Sequence, residues 1–399
     1  MEPSALSPQP SSRRLLIAGV STRAAAESAA RAGFAVTAID AFGDLDQHPS
    51  VRALSVPRDF NARFTAAAAA RAARTIDCDA VAYLSGFENH PKAVASLAAG
   101  RDLFGNPPPV LQRVRDPRLL AQALRRHRLP VPDVRLGRAG GGTWLVKPLA
   151  SGGGRGVRKW RRGDRVPRGC YLQRFVEGTP GSIVFLAAGG RAVPIGLSRQ
   201  LVGEQAFGAG GFKYCGSILA GAGDAQFAQD AALARAAHKL ADAVTSEFRL
   251  VGVNGIDFIA RDGVPYAIEV NPRWSASVEL VERAYGLSVF AEHARAFVNG
   301  TLPNDPGRIA DFDFREARRG ARAVGKAIVF ARRDVTVGDT RPWLSEFRDV
   351  PHPGDRIPAG RPVCTVFAAG RDASACHAGL VRRAEEVYAG LAEWERNVA

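Results

Sequence analysis

Lysine is scarce in this chain: it supplies only six of the 54 cationic side chains, which outnumber 39 acidic ones and leave a formal net charge of +15. A surplus of that size attracts phosphate in general. Here, however, the arginines are scattered along an Ala-rich chain instead of being gathered with aromatics, so no nucleic-acid partner is expected. Long apolar runs are also missing. Stretches such as Leu15 to Val20 are far shorter than the roughly 18 residues of a membrane span, which excludes a membrane partner. The five cysteines (Cys78, Cys170, Cys215, Cys364 and Cys376) are widely spaced and form no CxxC pair, so neither a disulfide framework nor a zinc site is indicated. The seven histidines are equally dispersed, and no Ser/His/Asp or Cys/His set for nucleophilic catalysis emerges. Residues 1–12, polar and rich in Pro and Ser, read as a frayed tail on a cytoplasmic protein rather than as a signal peptide.

A length of 399 residues points to two or three domains. LLIAGV (15–20), an Ala-rich stretch and FAVTAID (34–40) read as strand, helix, strand, the opening of a parallel α/β unit. Its first turn, GVSTRAAAE, has one glycine and lacks GxGxxG, so the chance that Asp40 holds a dinucleotide ribose is weak. AVAYLS (80–85) predicts another strand, running into the polar loop GFENHP (86–91). NPPPV (106–110) breaks the chain and sets a boundary near residue 108; DPRLLAQALRRHRLPVP (116–132) then reads as a basic helix. From Thr143 the pattern turns to short strands separated by glycine turns, and Leu233, Ala237, Leu240, Val244 and Phe248 mark one face of a helix. VNGIDFIA (253–260) and YAIEVNP (266–272) predict a hairpin turning at RDGVP, followed by a second helical stretch over 276–298. The tail holds short β segments at 326–331 and 363–370. The expected division is a tail at 1–12, an α/β domain at 13–108, a central domain at 109–308 and a small β-rich domain at 309–399.

The chemistry concentrates in that hairpin. Side chains at i, i+2 and i+4 of a strand share a face, so Glu269, Asn271 and Arg273 face one way, and the hairpin brings Asp257 opposite Glu269 or close to it. Two carboxylates and an amide oxygen around one point suit Mg²⁺, or Mn²⁺, bound together with phosphate oxygens. Arg273 is suited to an anion beside the metal. Earlier, LVKPLASGGGRG (145–156) puts Lys147 at the end of a strand, followed by Ser151 and the glycines 152, 153, 154 and 156, whose backbone N–H groups can approach phosphate closely. It is not a Walker loop, since GxxxxGK[ST] is absent. The basic stretch RGVRKWRRGDRVPR (155–168) is either a solvated hairpin or a lid over polyphosphate.

In this order the pieces resemble the ATP-grasp superfamily, over about residues 13 to 370. The resemblance implies an α/β (α+β) chain with a Rossmann-like pre-ATP-grasp domain, an ATP-grasp domain and a small β-rich C-terminal domain. It implies ATP bound by Lys147, Ser151 and the loop Gly152, Gly153, Gly154 and Gly156. Gln173, Phe175 and Val176 of YLQRFVEG (171–178) would meet adenine and Glu177 the ribose, and Asp257, Glu269 and Asn271 would hold the metal. Lys147 and Arg273 would be catalytic, steadying the transferred phosphoryl group. A lysine that the family often carries in the helix after the first domain is absent from RVRDPRLL (113–120), leaving Arg115 or Arg118 to substitute.

GFENHP, RQLVGEQAFGAGGFKYCG (199–216) and the C-terminal tail are similar to a narrower carboligase-like branch. Some of its members occur in methylotroph gene clusters for tetrahydromethanopterin and methylofuran. The implied reaction is carboxylate activation by ATP followed by attack of an amine, with glutamate a sensible substrate and a homodimer the expected assembly. Glu88 and Asn89 would bind an ammonium or amide group and Arg199 a carboxylate, while Phe212, Lys213 and Tyr214 could close over the substrate. Carboxylation through carboxyphosphate and a non-catalytic nucleotide-binding module are the competing readings.

Overall fold

The computed structural model describes residues 13–161, 163–305 and 312–398; the expected tail at 1–12 lies outside the described residues. A parallel sheet opens the chain, formed by β1 (Arg14–Ala18), β2 (Ala35–Asp40), β3 (Arg52–Ser55), β4 (Ala80–Tyr83) and β5 (Asp102–Phe104) in the order β3-β2-β1-β4-β5. Leu15, Leu16, Ile17 and Ala18 are all buried, as a central parallel strand covered on both faces requires. The connecting helices are α1 (Arg23–Arg31), α2 (Val56–Asp59), α3 (Ala66–Ala72) and α4 (Pro91–Ala98). Because β2 lies on one side of β1 and β4 on the other, the sheet has a switch point between β1 and β4, the place where open α/β sheets leave a crevice at their C-terminal strand ends. Asp40 spends its carboxylate inside the fold, accepting from Thr22 N (3.0 Å) and Oγ1 (2.7 Å) and from the N–H groups of Phe42 and Gly43.

The proline run does more than break the chain. Pro108 begins α5 (Pro108–Val114), where a missing N–H costs nothing, and α6 (Pro117–Arg126) follows with the Asp116 side chain accepting from Arg118 N. A small antiparallel sheet of β6 (Val134–Arg135), β7 (Trp144–Pro148), β8 (Arg158–Lys159) and β9 (Cys170–Arg174), in the order β6-β9-β7-β8, packs around Trp144, Val146 and Leu172. The described residues of the basic stretch at 155–168 are therefore a largely exposed edge strand and its flanking turns.

The large antiparallel sheet is built from β10 (Thr179–Ala188), β11 (Arg191–Val202), β12 (Tyr214–Leu219), β13 (Gly252–Arg261) and β14 (Val264–Asn271), with α7 (Asp230–Phe248) inserted before β13. After α8 (Val278–Tyr285), α9 (Val289–Val298) and α10 (Phe314–Arg318) come β15 (Ala323–Phe330), the short pair β16 (Val335–Thr336) and β17 (Arg356–Ile357), β18 (Pro362–Gly370) and α11 (Ala373–Val398). The seven-stranded order is β14-β13-β10-β11-β12-β15-β18. The two longer strands expected of a separate C-terminal domain thus extend the central sheet, because β15 pairs with β12 from Gly216↔Ala327 to Leu219↔Val324. The segment after Gly370, expected within a β-rich region, is the long helix α11, whose Cys376, Leu380, Ala384 and Val387 are buried against the β15 and β18 region.

The predicted face of α7 is the buried one: Leu233, Ala237, Leu240, Val244 and Phe248 pack on Ile183, Phe185 and Leu197 of the sheet. Each such side chain contributes roughly 1.5–3 kcal/mol by leaving water. The other face of the sheet packs through Val184, Leu186, Ile195 and Val253 onto α8, α9 and the first domain.

Candidate functional site

A cleft of about 620 Å³ runs between the small sheet, the β13–β14 hairpin and the C-terminal strand ends of the parallel sheet. Its floor is the hairpin. Asp257 and Glu269 are direct partners in the ladder, just before a register shift between Asp257 and Phe258. Asn271 Nδ2 donates to Asp257 Oδ2 at 3.0 Å, and Gln200 Nε2 on β11 donates to Asp257 Oδ1 at 2.9 Å. Burial and the Glu269 charge push the Asp257 carboxyl up to about 6. Burial also raises Glu269, but the cations of Arg115 and Lys147 outweigh it and hold that carboxyl below its ordinary value.

Lys147 ends its strand buried, donating from Nζ to Gln173 Oε1 at 3.0 Å; Gln173 Nε2 in turn donates to the Ile268 carbonyl at 3.2 Å. Burial lowers the Lys147 ammonium from its ordinary value against the support of Glu269 and Asp257. Phe175 and Val176 line the same cleft, as do Ser151, Gly153 and Gly154. Glycine is needed at 154 on two counts. Its φ is +75°, and a Cβ there would lie 1.7 Å from the Phe212 carbonyl oxygen, so the 210–214 segment rests directly on the loop. The Tyr214 N–H donates to the Gly153 carbonyl across that contact at 3.1 Å. Gly156, also at positive φ, and Gly152 belong to the loop without lining the cleft, and Glu177 is an exposed residue at its rim.

Of the two arginines that could replace the missing lysine, Arg115 is in the cleft. It pairs with Glu269 through Nη1, which also donates to the Val270 carbonyl at 2.9 Å; Nη2 donates to Asn89 Oδ1 (3.0 Å) and to the Ser151 carbonyl (3.2 Å). Arg118 instead points outward and pairs with its neighbour Asp116 at 2.8 Å.

The three residues expected to meet substrate are placed differently from that expectation. Glu88 is buried behind Arg273, accepting from its Nε at 2.9 Å and from the Gly86 N–H, so its carboxylate braces the arginine instead of facing the cleft. Burial raises the Glu88 carboxyl, but Arg273 and Arg115 overcome that and keep it below the usual range. Asn89 braces Arg115. Arg199 projects from the face of β11 opposite to Gln200, and its nearest carboxylate is Glu204 at 3.9 Å; the strand alternation that puts Gln200 in the cleft keeps Arg199 out of it.

Sequence reasoning missed Gln200. Its nearness to Asp257 depends on β10 pairing with β13 on one side and β11 on the other, an order that no local pattern reveals.

Residues 114–277 match the model of the ATP-grasp domain. The chain has the ATP-grasp fold. Its structure is similar to that of pyruvate carboxylase from Rhizobium etli, with a TM-score of 0.70, 16% identity, 93% of this chain covered and only 37% of that longer chain spanned. It is also similar to an L-amino acid ligase from Bacillus licheniformis (TM-score 0.65, 17% identity, 94% and 97% of the two chains). A third likeness is to N5-carboxyaminoimidazole ribonucleotide synthetase from Thermotoga maritima (TM-score 0.63, 15% identity, 94% and 98%). At such identities the likeness shows the fold. No curated protein sequence matches the chain.

In this ATP-grasp cleft the donor set fits a hard divalent ion. Among the described residues no group of three His, Cys, Asp or Glu side chains gathers to hold a metal alone, so an ion would take Asp257, Glu269 and the Asn271 oxygen, which here accepts from Arg273 Nη2 at 3.1 Å and would have to turn toward the carboxylates, and complete its shell with phosphate and water oxygens. The Asp257 carboxylate is met directly by the neutral donors Gln200 and Asn271, whereas Glu269 is ion-paired with Arg115. Among the described residues no helix is long and apolar enough to cross a membrane.

Proposed function

We propose that the protein is an ATP-dependent carboxylate–amine ligase working through an acyl phosphate. A substrate carboxylate oxygen attacks the γ-phosphorus of ATP, the bond from that phosphorus to the β-bridging oxygen breaks, and ADP leaves. An amine nitrogen then attacks the acyl carbon, expelling inorganic phosphate and losing a proton. One observation carries the reading: the paired carboxylates Asp257 and Glu269 share a single cleft with the cations Lys147, Arg115 and Arg273. Such a set suits charge spread over a transferring phosphoryl group and does not require a nucleophilic side chain.

Mg²⁺, with Mn²⁺ an alternative, would be held by Asp257, Glu269 and Asn271 and supplies charge neutralisation between phosphates when bound. Lys147 and Arg115 would hold the phosphates from the glycine-loop side, with Ser151, Gly152, Gly153, Gly154 and Gly156 covering them. Gln173, Phe175 and Val176 would meet adenine and Glu177 the ribose. Arg273, braced by Glu88, would steady the transferred phosphoryl group. Glutamate is the proposed amino acid, in line with the resemblance to the one-carbon-cofactor branch, in a cytoplasmic homodimer.

The test is ADP release from purified protein with Mg-ATP and a panel of amino acids, with hydroxylamine added to trap an acyl phosphate. ADP and a hydroxamate appearing together support the ligase. ADP release that requires bicarbonate and yields no hydroxamate replaces it with a carboxylase, and nucleotide binding without turnover replaces it with a binding module.

A further inference from the structure

Both oxygens of Asp257 are engaged by side-chain amides. Oδ1 accepts from Gln200 Nε2 at 2.9 Å, and Oδ2 accepts from Asn271 Nδ2 at 3.0 Å. Ser182, the direct partner of Asp257 across the β10–β13 ladder, adds a hydroxyl donor. All of these residues line the cleft.

The two amides have different duties. Asn271 is one of the proposed metal ligands, and its oxygen accepts from Arg273 Nη2 at 3.1 Å. To present that oxygen to an ion the amide has to turn over, and in turning it takes Nδ2 away from Asp257 Oδ2. Gln200 is not among those ligands, so its hold on Oδ1 outlasts the arrival of the ion. Asp257 is then left with one oxygen, Oδ2, to bond the metal.

Gln200 is also firmly placed. It lies within β11, paired with Ser217 of β12 on one side, while its neighbour Arg199 pairs with Gly181 of β10 on the other. A donor carried by an interior strand is held more precisely than one carried by a loop. Ser217 is itself tied to Tyr214 through their hydroxyl oxygens at 3.0 Å, so this wall of the cleft is a connected polar surface.

Divalent ions respond differently to a carboxylate restricted in this way. Mg²⁺ requires near-octahedral geometry at about 2.0–2.1 Å, which a carboxylate giving a single oxygen satisfies. Ca²⁺ takes about six to eight oxygens at about 2.3–2.6 Å and gains from a carboxylate that can chelate with both.

We propose that Gln200 is a positioning residue for the metal: by holding Asp257 Oδ1 it makes Asp257 a one-oxygen ligand and so selects Mg²⁺ over Ca²⁺. The proposal rests on the metal site of the ligase reading and adds to it the residue that sets which ion is accepted.

The experiment uses Mn²⁺ as the probe, with the electron paramagnetic resonance signal of the free ion as the readout. Protein in molar excess over the non-hydrolysable ATP analogue AMP-PNP keeps the nucleotide bound, and Mg²⁺ and Ca²⁺ are titrated separately to displace Mn²⁺. In the wild type Mg²⁺ displaces Mn²⁺ at a concentration about tenfold or more below that of Ca²⁺. Q200M keeps the length of the side chain and removes the donor; there the ratio falls by about tenfold, while the Mg²⁺ value itself moves by less than about threefold. A loss of structure alone weakens all three ions together and leaves the ratio where it was.

An unchanged ratio in folded Q200M, or a wild type that takes Ca²⁺ as readily as Mg²⁺, overturns the proposal. Q200N, whose shorter side chain withdraws the amide from Asp257 and keeps the strand polar, is read in the same way if Q200M does not fold by thermal denaturation. Should neither fold, the wild-type ratio decides alone. A nucleotide that does not bind removes the ligase reading and this proposal together, and so does a nucleotide complex that takes up no Mn²⁺. Mn²⁺ binding with a ratio that Q200M does not move removes only the role of Gln200.

Discussion

Asp257 and Glu269 sit directly opposite each other across one hairpin, yet their surroundings drive them apart: burial and the Glu269 charge push the Asp257 carboxyl up to about 6, while Arg115 and Lys147 hold Glu269 below its ordinary value. One acid of the pair is ion-paired with Arg115, and the other is met chiefly by the neutral donors Gln200 and Asn271.

The raised Asp257 carboxyl makes stability pH-dependent with a definite sign. A carboxyl whose folded pKa exceeds its unfolded value near 3.8 stabilises the fold most fully below that value, and the contribution is lost as pH rises through about 6. Asp257→Asn should therefore raise the stability of the metal-free protein at pH 7 by roughly 1–2 kcal/mol and flatten this part of the profile, while abolishing Mg-ATP turnover. Urea denaturation at pH 5 and pH 7 measures the difference. A variant that is less stable than wild type at pH 7 would refute the account.

Lys147→Ala should weaken ATP more than ADP, by about tenfold or more in the ratio of the two dissociation constants, since a lost charge-assisted contact is worth roughly 1.5–3 kcal/mol. Equal losses for the two nucleotides would move Lys147 away from the γ-phosphate.

Arg115 touches Glu269, Asn89 and the Ser151 carbonyl together. Arg115→Ala removes the ion partner of the partly buried Glu269 carboxylate, which Lys147 still supports, and should cost about 1.5–3 kcal/mol of stability, with turnover down by about 100-fold, a loss of the size seen when one preorganised donor is removed. Arg115→Lys keeps the charge but not the fork and should recover stability better than turnover. Arg118→Ala, at an exposed position, serves as the control and should leave both within error.

The glycine loop offers a paired comparison. Gly154→Ala would drive a Cβ into the Phe212 carbonyl at a positive φ, whereas a Cβ at Gly152 meets open space. The first should cost about 2 kcal/mol or more and raise KM for ATP, while the second should change stability by less than about 0.5 kcal/mol. Thermal melts and initial rates on the two variants, side by side, check the assignment.

Much of the site was legible because it is local. Two-residue alternation in YAIEVNP and the RDGVP turn are enough to bring Asp257 against Glu269, and Lys147 at a strand end ahead of glycines is a short-range signal. The five buried residues of α7 follow the helical period just as directly. What escaped were relations set by strand order. Glu88 sits in a polar loop of the kind that binds ligands, and only the packing of that loop against Arg273 shows that its charge is already committed. Arg199 and Gln200 are neighbours in sequence, and the register of β11 decides which one faces the cleft. Asp349, 80 residues beyond Glu269, reaches the cleft because β15 and β18 join the central sheet.

That joining has a practical consequence for dissection of the molecule. The segment matching the ATP-grasp domain ends at residue 277, before β15, so a fragment cut there would strip the partner from β12 and leave a bare row of backbone donors and acceptors along its edge. Such an edge templates strand addition between molecules. The segment matching the ATP-grasp domain, produced alone, should clump into aggregates, and only a chain carrying the C-terminal strands should yield a tractable preparation.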